Sequence, residues 1–178
     1  MKNTLYIERS TGECRSGDWV EKLDLEGVER IVVGTGPGSF AGIRSAIAFA
    51  RGYQLGRPEV EVLGLPSACA LARSGERLAV IGDARQGKLW IALLDGFVLE
   101  REIFQIEAIE LDAGLGSDRK VVSPDHRRIG AMLAEKFREA YLGERLPDAA
   151  GLERFDRADP SAAKAEPLPI YLNPAVRS

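Results

Sequence analysis

The stretch Gly34-Thr35-Gly36-Pro37-Gly38-Ser39-Phe40-Ala41-Gly42-Ile43-Arg44 begins where a β-branched run ends, and it leads into a long helical pattern. The run before it, Ile31-Val32-Val33, is typical of the end of a buried strand. Glycine at every second position permits positive φ angles and the close approach of another group, while Pro37 fixes one φ angle between Gly36 and Gly38. The sequence therefore predicts a tight loop between a central strand and a helix.

The helix after this loop is predicted to start at Ser39 and to stop at Gly56. The Ser39 hydroxyl can accept a hydrogen bond from an amide of the first turn, and glycine is common just past the end of a helix. Arg44 and Arg51 are the only charged residues inside the helix. Because a surface helix usually carries a polar face, this helix is predicted to be covered on two faces.

The face opposite the apolar stripe holds Ser45, Ala48 and Gly52, which are all small or short. Two interpretations of this face stay open. The helix can be covered on both sides within its own domain, which is the commoner arrangement. Alternatively, the helix of a partner can pack against the small face, which would make that face a contact surface.

Four segments of the chain resemble the motifs of one bacterial family, TsaB (YeaZ), the accessory subunit for threonylcarbamoyladenosine formation in tRNA. Residues 34–56, GTGPGSFAGIRSAIAFARGYQLG, resemble its G-x-GPGSFTG-[LV]-R signature and the small-residue helix that follows. Residues 5–11, 81–90 and 169–172 resemble, in the family's order, its L-x-I-D-T-[AS]-T, A-I-D-A-R-x-G-E-V-Y and P-x-Y-L-R motifs. The resemblance thus extends over both ends of the chain.

The resemblance implies an α/β protein with a degenerate actin-like fold, of the ASKHA or ribonuclease H-like class, whose own ATP site is lost. It implies a non-catalytic scaffold that pairs with the catalytic TsaD subunit, with the TsaE ATPase as third component, for threonylcarbamoylation of adenosine 37 in tRNA. ATP is then used by the partner subunits. This chain would need no cofactor, hold no catalytic residue and meet tRNA only indirectly.

In the TsaB family the GPGSF loop and its helix make helix-bundle contacts with TsaD or with a second copy of the chain, as a homodimer. The resemblance implies that the partner-binding residues here are Gly36, Gly38, Ser39, Phe40, Gly42, Arg44, Ser45, Ala48 and Gly52. The family also has a longer hairpin and a helix before this loop, for which the chain has too few residues, so its first lobe is predicted to be truncated. Because that lost helix shares the bundle, the chain can pair differently, form only one of the two assemblies, or have a drifted function.

Strand and helix patterns along the chain predict two lobes, residues 1–74 and residues 75–178. The second lobe is predicted to hold strand hairpins, one amphipathic helix at 129–141 and an irregular proline-rich tail from 144, with 168–172 docked as an edge strand. The predicted strands are 4–7, a returning strand at 19–20, 30–33, 60–63, 78–81, 89–94, 97–104 and 121–122, and short helical pieces are predicted at 25–29, 67–73 and 106–111.

Two acidic residues, Glu8 and Asp83, follow predicted strands, where actin-like ATPases keep the carboxylates that handle their metal ion. With Ser10 and Thr11 they define a candidate vestigial nucleotide site. Simpler explanations exist, because any hairpin uses a hydroxyl-rich turn and because Asp83 and Arg85 can form a turn-stabilising ion pair. The glycine loop matches neither G-x-x-x-x-G-K-[ST] nor G-x-G-x-x-G. A stand-alone nucleotide-binding enzyme of the actin-like superfamily is therefore the alternative function.

The composition is that of an ordinary globular protein, with 45% hydrophobic residues, 29% charged residues and a formal net charge of −3. Positive and negative residues are balanced from Met1 to Ser74, so this half is not a polycation that would hold nucleic acid by counterion release. Two cysteines and one histidine are too few for a disulfide framework or a two-histidine metal site. No apolar signal core and no run of about 20 apolar residues is present, which predicts a cytoplasmic protein without membrane contact.

Overall fold

The structure is a computed structural model that describes residues 2–11 and 23–172. The predicted returning strand at Trp19-Val20 and most of the hydroxyl-rich turn lie outside the described residues. Within them, no helix has the length and apolar character needed to cross a membrane. The described residues pack as two compact units, one formed by residues 2–11, 23–70 and 147–170 and the other by residues 71–146 with 171–172.

The first unit is built on a three-stranded parallel sheet with the order β1-β2-β3. Its strands are β1 (Thr4–Ile7), β2 (Arg30–Gly34) and β3 (Glu61–Leu65). The middle strand is β2, and its residues 31–33 are completely buried. A β-branched run buried on both faces is typical of a central parallel strand, so the prediction of a central strand is confirmed.

Helix α1 (Phe40–Gly56) connects β2 to β3. Ser39 caps it, because its hydroxyl accepts a hydrogen bond from the Gly42 amide at 3.4 Å, as predicted. The helix ends one residue later than predicted, since Gly56 is its last residue and the Arg57 amide closes the turn. The buried residues of α1 are Gly42, Ile43, Ala46 and Ala50, and the two alanines belong to the core of the sheet.

Two helical pieces predicted for the first unit are shorter in the structure. The segment 25–29 forms only a turn, in which Gly27 has a φ of 62°. The segment after β3 is a 3-10 helix, Ser67–Leu71, and does not continue to Arg73. Short 3-10 pieces are common as connectors because their tighter hydrogen bonds do not extend far.

The second unit contains a six-stranded sheet with the order β6-β5-β4-β8-β9, in which β7 also pairs with β5. Its strands are β4 (Arg77–Arg85), β5 (Lys88–Asp95), β6 (Val98–Leu99), β7 (Phe104–Glu107), β8 (Lys120–Ser123) and β9 (Tyr141–Glu144). The predicted antiparallel hairpins are confirmed, and Gly96, with a φ of 54°, lies in the turn between β5 and β6. The single strand predicted at 97–104 is split into β6 and β7, because the chain bends at Arg101.

Helix α2 (His126–Phe137) packs its buried Leu133 and Phe137 in the core of the second unit. The prediction that this helix continues to Tyr141 is wrong. Arg138 has a φ of 48°, outside the right-handed helical region, and Tyr141 is the first residue of β9. A 3-10 turn follows α2 directly, and for this reason the helical spacing of apolar residues in the sequence continues beyond the end of α2.

The prediction of an irregular tail is also wrong, since helix α3 (Ala149–Ala158) forms there. The Asp148 carboxylate caps α3 by accepting a hydrogen bond from an amide of its first turn at 2.6 Å. Pro147 precedes this cap, where a proline removes no helical hydrogen bond. Leu152 and Phe155 are fully buried, and the segment packs in the first unit, whereas the sequence assigns it to the second lobe.

Beyond α3, single contacts replace the edge strand that is predicted at 168–172. Lys164 and Gly64 exchange two backbone hydrogen bonds of 2.9 and 2.8 Å, which form an isolated antiparallel bridge. The Ile170 amide donates to the carbonyl oxygen of Thr35 at 2.9 Å. Prolines at 167 and 169 supply no amide hydrogen, so a continuous ladder cannot form there.

Candidate functional site

The loop between β2 and α1 is tightly packed at its glycines. Gly38 has a φ of 155°, and a Cβ at this position would lie 2.3 Å from the carbonyl oxygen of Ser10. Gly36 has a φ of 95°, and a Cβ there would lie 2.7 Å from Ile43 Cδ1. Neither position has room for a side chain, so the predicted tight loop is confirmed.

Hydrogen bonds hold this loop from two sides. On one side, the Ser39 amide donates to the carbonyl oxygen of Ser10 at 2.6 Å. On the other side, the Gly36 amide donates to the Ser67 hydroxyl at 3.0 Å, and the Ser67 amide donates back to the Gly36 carbonyl at 2.8 Å. These bonds fix the start of α1 against the segments that follow β1 and β3.

Two residues of the candidate nucleotide site, Glu8 and Ser10, lie beside this loop. Glu8 Oε1 accepts a hydrogen bond from the Ser10 amide at 2.6 Å, and burial raises the pKa of the Glu8 carboxyl. Thr11 is exposed. Asp83 belongs to the second unit. The structure thus brings Glu8 and Ser10 together at the glycine loop.

Asp83 forms ion pairs with two arginines, which agrees with the simpler interpretation that it stabilises a turn. Its Oδ2 lies 3.2 Å from Arg128 Nη1 and 3.5 Å from Arg85 Nη1. Its Oδ1 accepts a hydrogen bond from the Arg85 amide at 2.8 Å, and its own amide donates to Asp125 Oδ2 at 3.0 Å. Burial raises the pKa of Asp125, so this second carboxyl takes up a proton more readily than an exposed one.

The single histidine of the chain, His126, is held by an aromatic neighbour. Its Nδ1 lies 2.8 Å from the Tyr141 hydroxyl, and the two rings stack with centroids 6.0 Å apart. Across residues 2–11 and 23–172, no cluster of three or more His, Cys, Asp or Glu side chains is suited to hold a metal ion.

The side of α1 that faces away from the sheet is exposed, and we call it the α1 outer surface. Ser45, Ala48 and Gly52 are exposed, so residues 2–11 and 23–172 do not support the interpretation that the small face is covered within its own domain. Two large apolar side chains belong to it, Phe40 with 56% and Leu55 with 85% of its surface exposed. The Arg44 guanidinium lies 3.9 Å above the Phe40 ring. The residues of the α1 outer surface are Phe40, Ala41, Arg44, Ser45, Ala48, Arg51, Gly52 and Leu55.

Most of the residues predicted to bind a partner belong to this surface or adjoin it. Gly38 is also exposed, whereas Gly36 and Gly42 are buried and Ser39 is half-buried, so these last three position the helix. The sequence-based prediction omits Ala41 and Leu55. Both lie seven residues from Ala48, and this repeat is visible in the sequence.

The parallel sheet with its glycine loop and helix, and the second sheet with its hairpins, define an α/β protein of the actin-like (ASKHA) class. A sequence model of the family "TsaD: tRNA N6-adenosine threonylcarbamoyltransferase" matches residues 20–108, which is half of the chain. The chain belongs to this family. No curated protein sequence matches it significantly.

Comparison with solved structures identifies the fold more closely. The chain is similar to YeaZ from Pseudomonas aeruginosa with a TM-score of 0.62 and 22% sequence identity, over 87% of this chain and 79% of that one. It is also similar to an uncharacterized protein with similarity to peptidase YeaZ from Pseudomonas aeruginosa, with a TM-score of 0.58 and 21% identity, over 88% of this chain and 79% of the other. These similarities confirm the TsaB (YeaZ)-like, actin-like fold that is predicted from the motifs.

Proposed function

We propose that the chain is a non-catalytic scaffold subunit that binds a TsaD-like catalytic subunit through the α1 outer surface. In this role it would serve threonylcarbamoylation of adenosine 37 in tRNA, with a TsaE-like ATPase as third component. Membership of the family and the YeaZ-like fold support a role in this tRNA modification system. The observation that carries the scaffold role is a long, exposed helix surface with little charge and two large apolar side chains.

The α1 outer surface has the spacing of a helix-packing seam. Ala41, Ala48 and Leu55 recur every seven residues, and Ser45 and Gly52 form a second stripe with the same interval. Small side chains allow two helix axes to approach to about 8 Å. A helix from a partner can therefore lie along this surface.

Leu55 and Phe40 give the surface its apolar driving force. Removing a Leu or Phe side chain fully from water is worth about 1.5–3 kcal/mol. Arg44 and Arg51 can keep their charged ends at the edge of such an interface while their aliphatic stems pack. A second copy of the chain could use the same surface, and the homodimer is then an alternative assembly.

The residues of the chain support a scaffold more than an enzyme. One histidine cannot form a two-histidine metal site, and the glycine loop has no lysine that would contact phosphates. We therefore assign ATP and catalysis to the partner subunits and no cofactor to this chain. With a net charge of −3, contact with tRNA would be indirect, and a tRNA-modifying complex would place the chain in the cytoplasm.

The test is to mix the chain with the TsaD-like protein of the same genome and to measure association by sizing chromatography with light scattering and by calorimetry. The variants are Ala48→Glu and Ser45→Arg, because a bulky unpaired charge at an interface must be desolvated. We expect each to weaken association by about tenfold or more, which corresponds to about 1.4 kcal/mol. The control is Ala134→Glu, which adds the same charge at an exposed alanine of α2.

Both variants should keep the melting temperature of the wild type, since their positions are exposed. Unchanged association of Ala48→Glu would contradict a role for the α1 outer surface, and no association of the wild type would contradict the pairing itself. Self-association that responds to the same variants would favour the homodimer. The stand-alone enzyme would require ATP binding with magnesium by the isolated chain, which the same calorimeter measures.

A further inference from the structure

The Glu8 carboxyl occupies the space that a side chain at position 34 would need. A Cβ on Gly34 would lie 1.9 Å from Glu8 Oε2 and 2.8 Å from the Ser67 hydroxyl oxygen. Gly34 is the last residue of β2, so the carboxyl lies against the point where the glycine loop begins. A side chain at position 34 would therefore displace the Glu8 carboxyl.

The hydrogen bonding of this carboxyl is incomplete. Oε1 accepts from the Ser10 amide at 2.6 Å. Oε2 is shielded from solvent and has no hydrogen-bond partner among the described residues. The groups that face Glu8 are the amides of Arg9 and Ser10, the hydroxyls of Ser10 and Ser67, and the backbone of Gly34. None of these groups carries a charge.

A carboxylate in such a place would be an unpaired, desolvated charge, which proteins avoid by keeping the group protonated. Burial accordingly raises the pKa of Glu8, and the Ser10 amide together with the nearby hydroxyls of Ser10 and Ser67 lowers it by less than burial raises it. Besides burial, the groups that act most strongly on the pKa of Glu8 are the uncharged hydroxyls and amides of Ser10, Ser67 and Arg9.

We infer that Glu8, in its protonated form, is a positioning residue for the first turn of α1. Its carboxyl holds the Ser10 amide, and the Ser10 carbonyl accepts from the Ser39 amide at 2.6 Å. Ser39 in turn caps α1 by accepting from the Gly42 amide. Loss of the proton leaves a buried charge that only water can solvate. Hydration of this charge requires its surroundings to open, and opening between the Ser10 segment and the loop releases the cap.

The expected pH dependence follows from the direction of the shift. A carboxyl whose pKa is higher in the folded chain than its ordinary value of 4.5 contributes stability below that value. The contribution is lost as the pH rises through the pKa of the folded state. The start of α1 should therefore be most tightly held in acid and should loosen as Glu8 ionises.

The experiment is amide hydrogen exchange of the isolated chain from about pH 5 to about pH 9, which reaches the pKa of about 8–9 documented for fully buried glutamates. Protection factors of the Ser39 and Gly42 amides are compared for the wild type, Glu8→Gln and the control Glu59→Gln. Gln has nearly the shape of protonated Glu and cannot ionise, whereas Glu59 is exposed. We expect protection in the wild type and in the control to fall tenfold or more with rising pH, and protection in Glu8→Gln to stay constant.

A purely structural role of the side chain would not produce this profile, because it would be independent of pH. Constant protection in the wild type, or a pH-dependent loss that survives in Glu8→Gln, would overturn the inference. If Glu8→Gln fails to fold, carboxyl carbon NMR of the wild type decides the question. Titration of Glu8 at the ordinary value for glutamate would overturn the inference, and a raised value would support it. Both measurements use the chain alone, so they stand apart from the binding of a TsaD-like protein.

Discussion

Gly52 of helix α1 and Gly151 of helix α3 have different surroundings. A Cβ on Gly151 of α3 would lie 2.1 Å from the carbonyl oxygen of Ala70, whereas a Cβ on Gly52 of α1 would meet nothing within 4 Å. Packing within the chain explains Gly151. Packing within the chain does not explain Gly52. Glycine inside a helix lowers the free energy of unfolding by about 1 kcal/mol relative to alanine, so its presence there is not favoured by helix stability. The comparison supports α1 as the helix that is shaped for a partner.

The polar contacts of the two helices also differ, because α3 has a buried carboxylate that binds within the chain. Asp156 of α3 is only 3% exposed, and it accepts two hydrogen bonds from Arg30, at 2.5 and 2.8 Å, and one from the Tyr6 hydroxyl at 2.7 Å. Burial and the bond to Asp156 raise the pKa of Tyr6 to about 12, so this donor keeps its proton at neutral pH. On the exposed side of α3, Glu153 and Arg157 form an ion pair in water. α3 thus has a buried carboxylate anchor and an outer face with charges of both signs, whereas the outer surface of α1 carries two arginines and no acidic residue.

The largest effect is expected for Asp156→Ala, which removes the buried anchor of α3. The variant leaves the Arg30 guanidinium, which is 13% exposed, without its main partner. Breaking a buried pair from one side costs about 3–5 kcal/mol, and the lower end applies because Glu61 Oε2 lies 3.6 Å from Arg30 Nε. Urea denaturation measures the loss in the free energy of unfolding. Glu153→Ala, which breaks only the exposed pair of α3, should cost less than about 0.5 kcal/mol, and equal losses would refute the anchor.

The next effect is expected for Gly151→Ala. The added methyl group would overlap the carbonyl oxygen of Ala70, a backbone atom that cannot turn aside. Overpacking of this kind costs about 1–3 kcal/mol, which outweighs the gain in helix propensity from alanine. The melting temperature should fall, and thermal unfolding followed by circular dichroism measures it. A variant as stable as the wild type would show that α3 approaches Ala70 less closely than the structure indicates.

The smallest effect is expected for Gly52→Ala, and its sign is opposite. The methyl group meets open space, so the isolated chain should gain up to about 1 kcal/mol in the free energy of unfolding. If a partner helix packs closely on the α1 outer surface, the same methyl group should weaken association with the TsaD-like protein. A variant that is both more stable and equally well bound would separate Gly52 from the interface.

Local features were predictable where neighbouring residues decide them. Gly36 and Gly38 impose a loop whatever surrounds them, because their positive φ angles suit few other residues. The same holds for the Ser39 cap and for the Asp95-Gly96 hairpin. Helix α3 was missed because prolines on either side indicate an irregular tail, whereas Asp148 provides a cap that starts the helix after Pro147.

The residues of the candidate site also differ in how much the sequence predicts about them. The spacing of the small residues in the sequence shows that they line one side of α1. Whether they are exposed depends on which other parts of the chain pack against that side. Glu8 and Asp83 carry the same signal in the sequence, an acid after a strand, yet Asp83 pairs with two arginines, whereas the groups that act most strongly on Glu8 are the uncharged ones of the Arg9 backbone, Ser10 and Ser67. The charge state of a carboxyl depends on its neighbours in space, and for Glu8 these include residues as distant in sequence as Gly34 and Ser67.

The sequence by itself determined the strand, loop and helix around residues 30–56, the hairpins of the second unit and the resemblance to the TsaB family, because short-range sterics and motif spacing carry this information. Only the tertiary structure decided that residues 147–170 pack in the first unit, that the α1 outer surface is exposed and that one oxygen of Glu8 has no hydrogen-bond partner among the described residues. Each of these depends on contacts between residues far apart along the chain. The bond between Tyr6 and Asp156, 150 residues apart, is the clearest example, since no local pattern specifies it.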